Sequence, residues 1–274
     1  MNSAAVIFVL VAATLLGLIV GSFLNVVVYR VPAGIPLTRG SRCAHCDSPV
    51  RWWHNVPVGS WLALGTRCAT CRSPISARYP LVEATTGALF AVVTWWFVIE
   101  PPAPSPAASW TVAAAFLHLV AISVALTLID IDTHRLPNAI VLPSYAVAVV
   151  LFVIACLLGS DWRALGRAAI GMSLLYAFYF ILRVVRPDGM GGGDVKLAGV
   201  LGLYLGWLGW GALAVGAFGA FLLGGIFGAL LLLRKRAGRR TAIPFGPWMI
   251  LGAWTGVFAG EALGSLYLGA ATGL

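Results

Sequence analysis

Apolar residues of this chain fall into long runs separated by short polar connections. Runs of about 20 apolar residues are long enough to cross the hydrocarbon core of a bilayer as helices. We predict eight membrane-spanning helices, at residues 4–29, 81–99, 110–129, 139–158, 164–183, 195–210, 212–233 and 246–270. The border between the sixth and seventh runs is blurred by glycines. The first run is longer than the apolar part of a secretory signal, and no basic residue precedes it, so we interpret it as a span.

Composition agrees with this pattern. Hydrophobic residues make up 60% of the 274 residues, charged residues 10%, and the mean hydropathy is +0.94, whereas soluble domains carry about 25% charged residues. The predicted fold class is an all-α polytopic membrane protein with a small insert after the first helix. Its predicted parts are the first helix (1–30), the polar insert (31–80) and a seven-helix membrane domain (81–274).

The placement of the basic residues explains the net charge of +9 as a feature of membrane topology. With eight spans, 16 of the 18 Lys and Arg residues fall on one side, and only Arg163 and Arg167 fall on the other. Because basic residues concentrate in cytoplasmic segments, we predict that the insert faces the cytoplasm and that both termini lie outside. No basic stripe is interleaved with aromatic residues, so the predicted partner is the lipid bilayer and not nucleic acid.

The insert carries two C-x-x-C knuckles that are separated by 21 residues. Their four cysteines are Cys43, Cys46, Cys68 and Cys71. Four thiolates at this spacing are typical of tetrahedral zinc, and a closed site of this kind stabilises a fold without doing chemistry. A disulfide pairing is the alternative, but the predicted cytoplasmic side is reducing. His45 and His54 are spare candidate ligands.

Two acidic segments lie at the ends of apolar runs, in a chain that has only nine acidic residues. The first contains Asp130 and Asp132, and spacing alone does not choose between them. The second is the glycine-rich loop 189–196, which contains Asp194. Because glycine lets another backbone come close, this loop can admit a peptide beside Asp194. The alternative is a flexible linker that ends in a helix-capping aspartate. We predict substrate-binding residues at Gly191, Gly192, Gly193 and Lys196.

The chemistry of a carboxylate pair fits this arrangement. Both acidic segments are predicted at the cytoplasmic ends of spans, although Asp130 and Asp194 are 64 residues apart in the chain. Two carboxylates brought within a few ångströms share one proton. One then acts as a base on water, and the protonated partner polarises a scissile carbonyl. Rival catalytic motifs such as G-x-S-x-G and H-E-x-x-H are absent from the sequence.

Two further polar residues lie near the ends of apolar runs. Asn25 interrupts a lipid-compatible surface, so we expect it to face protein or a cavity. Glu83 lies near the start of the second span, where it either favours the helix dipole or has a functional role.

At these residues the sequence resembles the type IV prepilin peptidases. The resemblance runs through nearly the whole chain. It includes residues 21–32, the paired knuckles with residues 51–57 between them, 78–83, 129–138, 189–197 and 243–247. The G-x-G-D element of this family corresponds to Gly191–Asp194.

The resemblance implies an aspartic peptidase whose catalytic pair is Asp130 and Asp194. It implies that the substrates are prepilins and pseudopilins of type IV pili and type II secretion, cut at the cytoplasmic face of the bacterial inner membrane. It also implies N-methylation of the new amino terminus with S-adenosylmethionine, for which residues 1–80 carry no legible fingerprint. The competing interpretation is a transporter or secretion-machine scaffold with a zinc-stapled insert. Many transporters are built from paired internal repeats with interrupted helices. The spans of this sequence show no such repeat, which favours the peptidase interpretation.

Overall fold

The computed structural model describes residues 2–100, 105–186, 189–233 and 244–272, with side chains described as far as residue 266. These residues are mostly helical, as predicted. The helices are α1 (Ser3–Ala33), α2 (Gly59–Ala63), α3 (Arg78–Thr94), α4 (Pro106–Thr133), α5 (Asn138–Leu157), α6 (Trp162–Val185), α7 (Gly192–Leu208), α8 (Trp210–Leu233) and α9 (Gly246–Thr272). A 3₁₀ turn covers Trp52–Asn55, and α3 continues into a π-helical turn at Trp95–Ile99.

Seven helices in the described ranges are long and apolar enough to cross a membrane. The sequence predicted eight spans, and the difference concerns α7, which has 17 residues and covers the run predicted at 195–210. Twelve of its residues, between Val195 and Trp207, are buried. Since α7 is enclosed by protein, its length does not have to match the bilayer. Gly209 separates α7 from α8, so the sixth and seventh runs form distinct helices.

The chain divides into two compact units, Met1–Ala125 and Leu126–Leu274, so the division falls inside α4. The boundaries predicted at residues 30 and 80 stay predictions. The basic run at residues 234–240, on which part of the predicted topology depends, lies outside the described residues.

In the first unit, α1 packs closely against α3. A Cβ atom added to Gly17 would lie 2.8 Å from the Cα of Gly87, and one added to Gly21 would lie 2.7 Å from the Cα of Glu83. The helix backbones therefore touch, as small residues allow between membrane helices. Near the end of α1, the Asn25 side chain donates a hydrogen bond to the carbonyl of Tyr79 at 3.2 Å. Asn25 thus contacts protein, as expected.

In the second unit, glycines also bring the helices together. Gly171 of α6 faces Gly202 of α7 so closely that a Cβ on either would clash with the backbone of the other. On the other side of this unit, a Cβ on Gly252 of α9 would lie 2.8 Å from the Gly216 carbonyl of α8. Small residues at both contacts allow the helix backbones to come this close.

Candidate functional site

Asp130 lies in the last turn of α4, and its side chain faces the interior of the second unit. Only 4% of its surface is exposed. Its Oδ2 accepts a hydrogen bond of 3.0 Å from the backbone N–H of Gly246, the first residue of α9. Asp132, which competed with Asp130 in the sequence, is exposed. The helix therefore turns one of the two carboxylates inward and the other outward.

Asp194 lies in the first turn of α7, behind the glycine-rich loop. Its Oδ2 accepts a hydrogen bond of 3.0 Å from the N–H of Gly191. Gly191 has an ordinary extended backbone, with φ −70° and ψ 148°. At Gly193 glycine is required for space instead. A Cβ on Gly193 would lie 2.8 Å from the Leu136 Cβ, and one on Gly192 would clash with the Arg183 guanidinium. Leu136 and Arg183 thus pack against the loop at Gly193 and Gly192, whereas Gly191 is exposed.

Leu136 links the surroundings of the two carboxylates. Its Cδ2 lies 3.4 Å from where a Cβ on Gly246 would be, and that same Cβ would lie 2.8 Å from Asp130 Oδ2. The other side of Leu136 packs against Gly193, next to Asp194. Asp130 and Asp194, distant in the chain, are therefore neighbours in the second unit.

The electrostatics of Asp194 reflect this neighbourhood. Asp194 precedes the predicted sixth span and lies in none of the seven helices long enough to cross the membrane. Burial raises the pKa of its carboxyl to about 6 and the negative charge of Asp130 acts in the same direction, while the hydrogen bond from Gly191 opposes both. A group with this pKa exchanges a proton near neutral pH, as acid–base catalysis requires.

Two side chains of α5 hold the start of α7 in place. The Tyr145 hydroxyl donates a hydrogen bond of 2.5 Å to the carbonyl of Lys196. The Lys196 ammonium donates one of 2.9 Å to the side-chain oxygen of Asn138. Lys196, predicted to bind substrate, is therefore bonded to α5. The sequence analysis missed Tyr145, because a tyrosine inside an apolar run carries no signal of its partner.

Aromatic rings form an apolar cluster beside Gly246. The ring centroid of Tyr179 lies 5.5 Å from that of Phe221 and 6.3 Å from that of Phe245. Phe245 directly precedes Gly246, whose N–H binds Asp130. Residues 243–247 belong to the resemblance described above, but the sequence does not indicate that this segment contacts a carboxylate.

The four knuckle cysteines form one cluster. Their sulfur atoms all lie within 4.8 Å of one another, and each cysteine is a free thiol. Such a set of donors can hold a tetrahedral metal ion. Hydrogen bonding from the backbone of Cys46 and then of His45 lowers the pKa of the Cys43 thiol to about 6, which favours the thiolate that binds metals. Within the described residues, neither histidine of the insert belongs to this cluster.

The two knuckles are structural repeats of each other, which the sequence analysis missed. Segments 41–50 (SRCAHCDSPV) and 66–75 (TRCATCRSPI) share their cysteine, serine and proline positions. Each makes the same backbone contacts, including the N–H of Cys43 to the carbonyl of Ser48 at 3.0 Å and the N–H of Cys68 to that of Ser73 at 2.9 Å. The equivalent serine hydroxyls lie 3.0 Å from Cys46 Sγ and 3.1 Å from Cys71 Sγ. Two equivalent turns thus bring two sulfurs each to one point.

Comparison with protein families matches both parts of the chain. Residues 15–97 match the bacterial peptidase A24 N-terminal domain, and residues 117–233 match the type IV leader peptidase family. The first match contains the cysteine cluster, and the second contains Asp130 and Asp194.

Curated relatives match nearly the whole chain. A protein of Stutzerimonas stutzeri is 35% identical, over 93% of this chain and 92% of its own length. One of Pseudomonas putida is 34% identical over 92% and 91%, and one of Neisseria gonorrhoeae is 34% identical over 90% and 89%. Each of the three is named prepilin leader peptidase/N-methyltransferase. No solved structure matches the chain significantly. Identity at this level over almost the full length, together with the family match around both carboxylates, shows that the chain belongs to the type IV leader peptidase family.

Proposed function

We propose that this protein is a membrane aspartic peptidase that removes the leader of type IV prepilins and pseudopilins, with Asp130 and Asp194 as its catalytic pair. The observation that supports the proposal is that Leu136 packs beside both carboxylates, next to Asp194 at Gly193 and next to Asp130 at Gly246, and that burial raises the pKa of Asp194 to about 6. Relatives named as peptidases over nearly the whole chain favour this function over a transporter or a scaffold.

The pair would act through a water molecule. With one proton shared between the carboxyls, the ionised carboxylate takes a proton from water as the oxygen attacks the scissile carbonyl carbon. The protonated carboxyl gives its proton to the carbonyl oxygen, so the tetrahedral intermediate carries no full negative charge. As it collapses, the C–N bond breaks and the proton gained by the base passes to the leaving nitrogen. One hydroxyl of the intermediate returns its proton to the carboxylate that had donated one, so the pair again shares one proton. No nucleophilic side chain is needed.

The substrate would reach the pair at the rim of the membrane. Asp130 ends α4, and Asp194 begins α7. The excess of basic residues in the connections on one side of the spans supports a cytoplasmic position for both carboxylates. A prepilin leader lies in the cytoplasm, directly before an apolar helix, so its cleavage point would lie at the same depth. Gly191, Gly192, Gly193 and Lys196 remain our candidates for contacting the substrate backbone.

A second activity, N-methylation of the amino terminus that cleavage creates, is part of the proposal. It rests on the names of the relatives, which include N-methyltransferase. The methyl donor would be S-adenosylmethionine, which supplies an electrophilic methyl group when bound. Incubation of the purified protein with a pilin precursor and labelled donor, followed by mass measurement of the product, tests both activities together.

We assign a structural zinc ion to the cysteine cluster. Cys43, Cys46, Cys68 and Cys71 would hold it, and their free sulfurs within 4.8 Å fit that role. Four protein ligands leave no position for water, so zinc would stabilise the insert and take no part in cleavage. Changing Cys43 and Cys68 to Ser should remove the bound zinc, measured by elemental analysis, and make the insert sensitive to protease. Unchanged zinc content would contradict the assignment.

The decisive test of the peptidase compares neighbouring carboxylates. Asp130→Asn and Asp194→Asn should each lower the rate of leader removal by at least about 10²–10⁴-fold, because each removes a group that transfers a proton. Asp132→Asn is the matched control, since it removes an exposed carboxylate two residues away, and it should retain activity. Cleavage at the normal rate by both Asp130→Asn and Asp194→Asn would refute the mechanism.

A further inference from the structure

A cavity in the first unit lies outside the proposed catalytic site. It has a volume of about 350 Å³ and runs beside the last turns of α1, below the segment that leads into the first knuckle. On α1 it reaches from Ile19 to Arg30, a rise of roughly 16 Å at about 1.5 Å per residue. A cavity of this length can hold an elongated molecule.

The cavity is apolar at one end. Ile19, Phe23 and Val26 line it there, on one face of α1. Ile19 is 61% exposed and Phe23 is 52% exposed, so little of the chain covers this face. Because these residues lie inside an apolar helix long enough to span the bilayer, we expect hydrocarbon chains to cover them.

The other end of the cavity is cationic. Arg30 and Arg39 line it, with Ser41 and Asn55 as neutral polar neighbours, and no acidic residue is among the lining residues. Arg30 is only 8% exposed. Its guanidinium donates hydrogen bonds to the carbonyl oxygens of Pro36, Leu37, Arg39 and Gly40.

These bonds use Nη1 and Nη2 of Arg30, and they leave its charge unbalanced. Four carbonyls are neutral acceptors, and in the described part of the chain no carboxylate forms an ion pair with Arg30. A buried charge without a counter-charge is costly. Arg39 adds a second positive charge at the same end. An anion placed there would lower the electrostatic energy of both guanidinium groups, and arginine suits the oxygens of a phosphate.

We propose that this cavity binds an anionic phospholipid of the surrounding leaflet. Its phosphate would lie at the Arg30 and Arg39 end, and an acyl chain would extend along Ile19, Phe23 and Val26. The apolar end favours a lipid over a soluble phosphate, because a soluble anion leaves that surface uncovered. Basic pockets at helix ends are typical sites for anionic headgroups. A methyl donor with a sulfonium cation fits less well, since both charged lining residues are positive. The proposal does not depend on the proposed peptidase activity.

The test measures lipid binding by the purified full-length protein with native mass spectrometry, in titrations with phosphatidylglycerol and with phosphatidylcholine. The wild type should bind phosphatidylglycerol more tightly. Arg39→Gln should weaken that binding about five-fold, as expected for one basic residue near a headgroup, while Arg39→Lys should restore most of it. Arg67→Gln is the matched control, because it removes the same charge from an exposed position of the insert that does not line the cavity.

Three results would overturn the proposal. The first is equal affinity of the wild type for the two lipids. The second is an Arg39→Gln variant that binds phosphatidylglycerol as the wild type and Arg67→Gln do. The third is displacement of the bound lipid by glycerol phosphate or by S-adenosylmethionine at similar concentrations, which would assign the cavity to a soluble ligand. Arg39→Gln is the variant of choice, because Arg30 also holds residues 36–40 in place.

Discussion

Gly246→Ala should impair cleavage without removing any catalytic group. The backbone N–H of Gly246 donates the hydrogen bond of 3.0 Å that orients Asp130. A Cβ added at this position would lie 2.8 Å from Asp130 Oδ2 and 3.3 Å from its Cγ. Ordinary contacts of a Cβ begin at 3.4 Å, so the carboxylate or the start of α9 must move by about 0.6 Å. That movement weakens the bond that fixes Asp130.

The size of the effect follows from the bond that is disturbed. A hydrogen bond to a charged group contributes about 1.5–3 kcal/mol. At about 1.4 kcal/mol for each factor of ten, the rate of leader removal should fall by about 10- to 150-fold. Displacement of a catalytic group by less than about 1 Å has effects of this order.

The assay is kcat/KM for cleavage of a prepilin by protein reconstituted in vesicles. Gly225→Ala is the matched control, because a Cβ on Gly225 of α8 meets no atom within 4 Å. It should leave the rate within about two-fold, since a helical glycine replaced by alanine in open space adds no clash. Equal rates for Gly246→Ala and Gly225→Ala would refute the view that Gly246 positions Asp130.

Four further predictions concern the surroundings of Asp194. Because burial raises the pKa of Asp194 from 3.8 to about 6, the folded state holds this proton more tightly than the unfolded state. As the pH rises from about 4 to about 6, the wild type should therefore lose about 3 kcal/mol of its free energy of unfolding. Asp194→Asn should lack this loss in thermal unfolding, and parallel curves for the two proteins would contradict the shift. Asp130→Asn removes a negative charge that raises the same pKa, so in that variant the loss of stability should be smaller and should end at a lower pH; an unchanged loss would contradict the proximity of the pair. Tyr145→Phe removes the bond to the Lys196 carbonyl and should lower kcat more than it raises KM. Gly199→Ala, whose Cβ would clash with the Tyr145 hydroxyl, should be partly rescued by Tyr145→Phe, and additive losses in the double variant would argue against this contact.

The sequence alone determined most of the architecture. Long apolar runs in a chain with 10% charged residues leave helices as the only way to satisfy backbone hydrogen bonds in a bilayer. Local spacing was equally informative for the cysteines, because each knuckle turns its two sulfurs inward within four residues. Asp194 became a candidate for the same reason, since the glycines beside it are adjacent in the chain.

Only the tertiary structure decided which residues meet. The choice between Asp130 and Asp132 depends on which side of the end of α4 faces α9, and the hydrogen bond from Gly246, 116 residues away, settles that orientation. The burial of α7 likewise depends on its neighbours, because composition does not distinguish a helix covered by lipid from one covered by protein. Tyr145 shows the same limit. Apolar periodicity determines that a segment is helical, whereas the rotation of each helix against its neighbours is fixed by packing between distant segments.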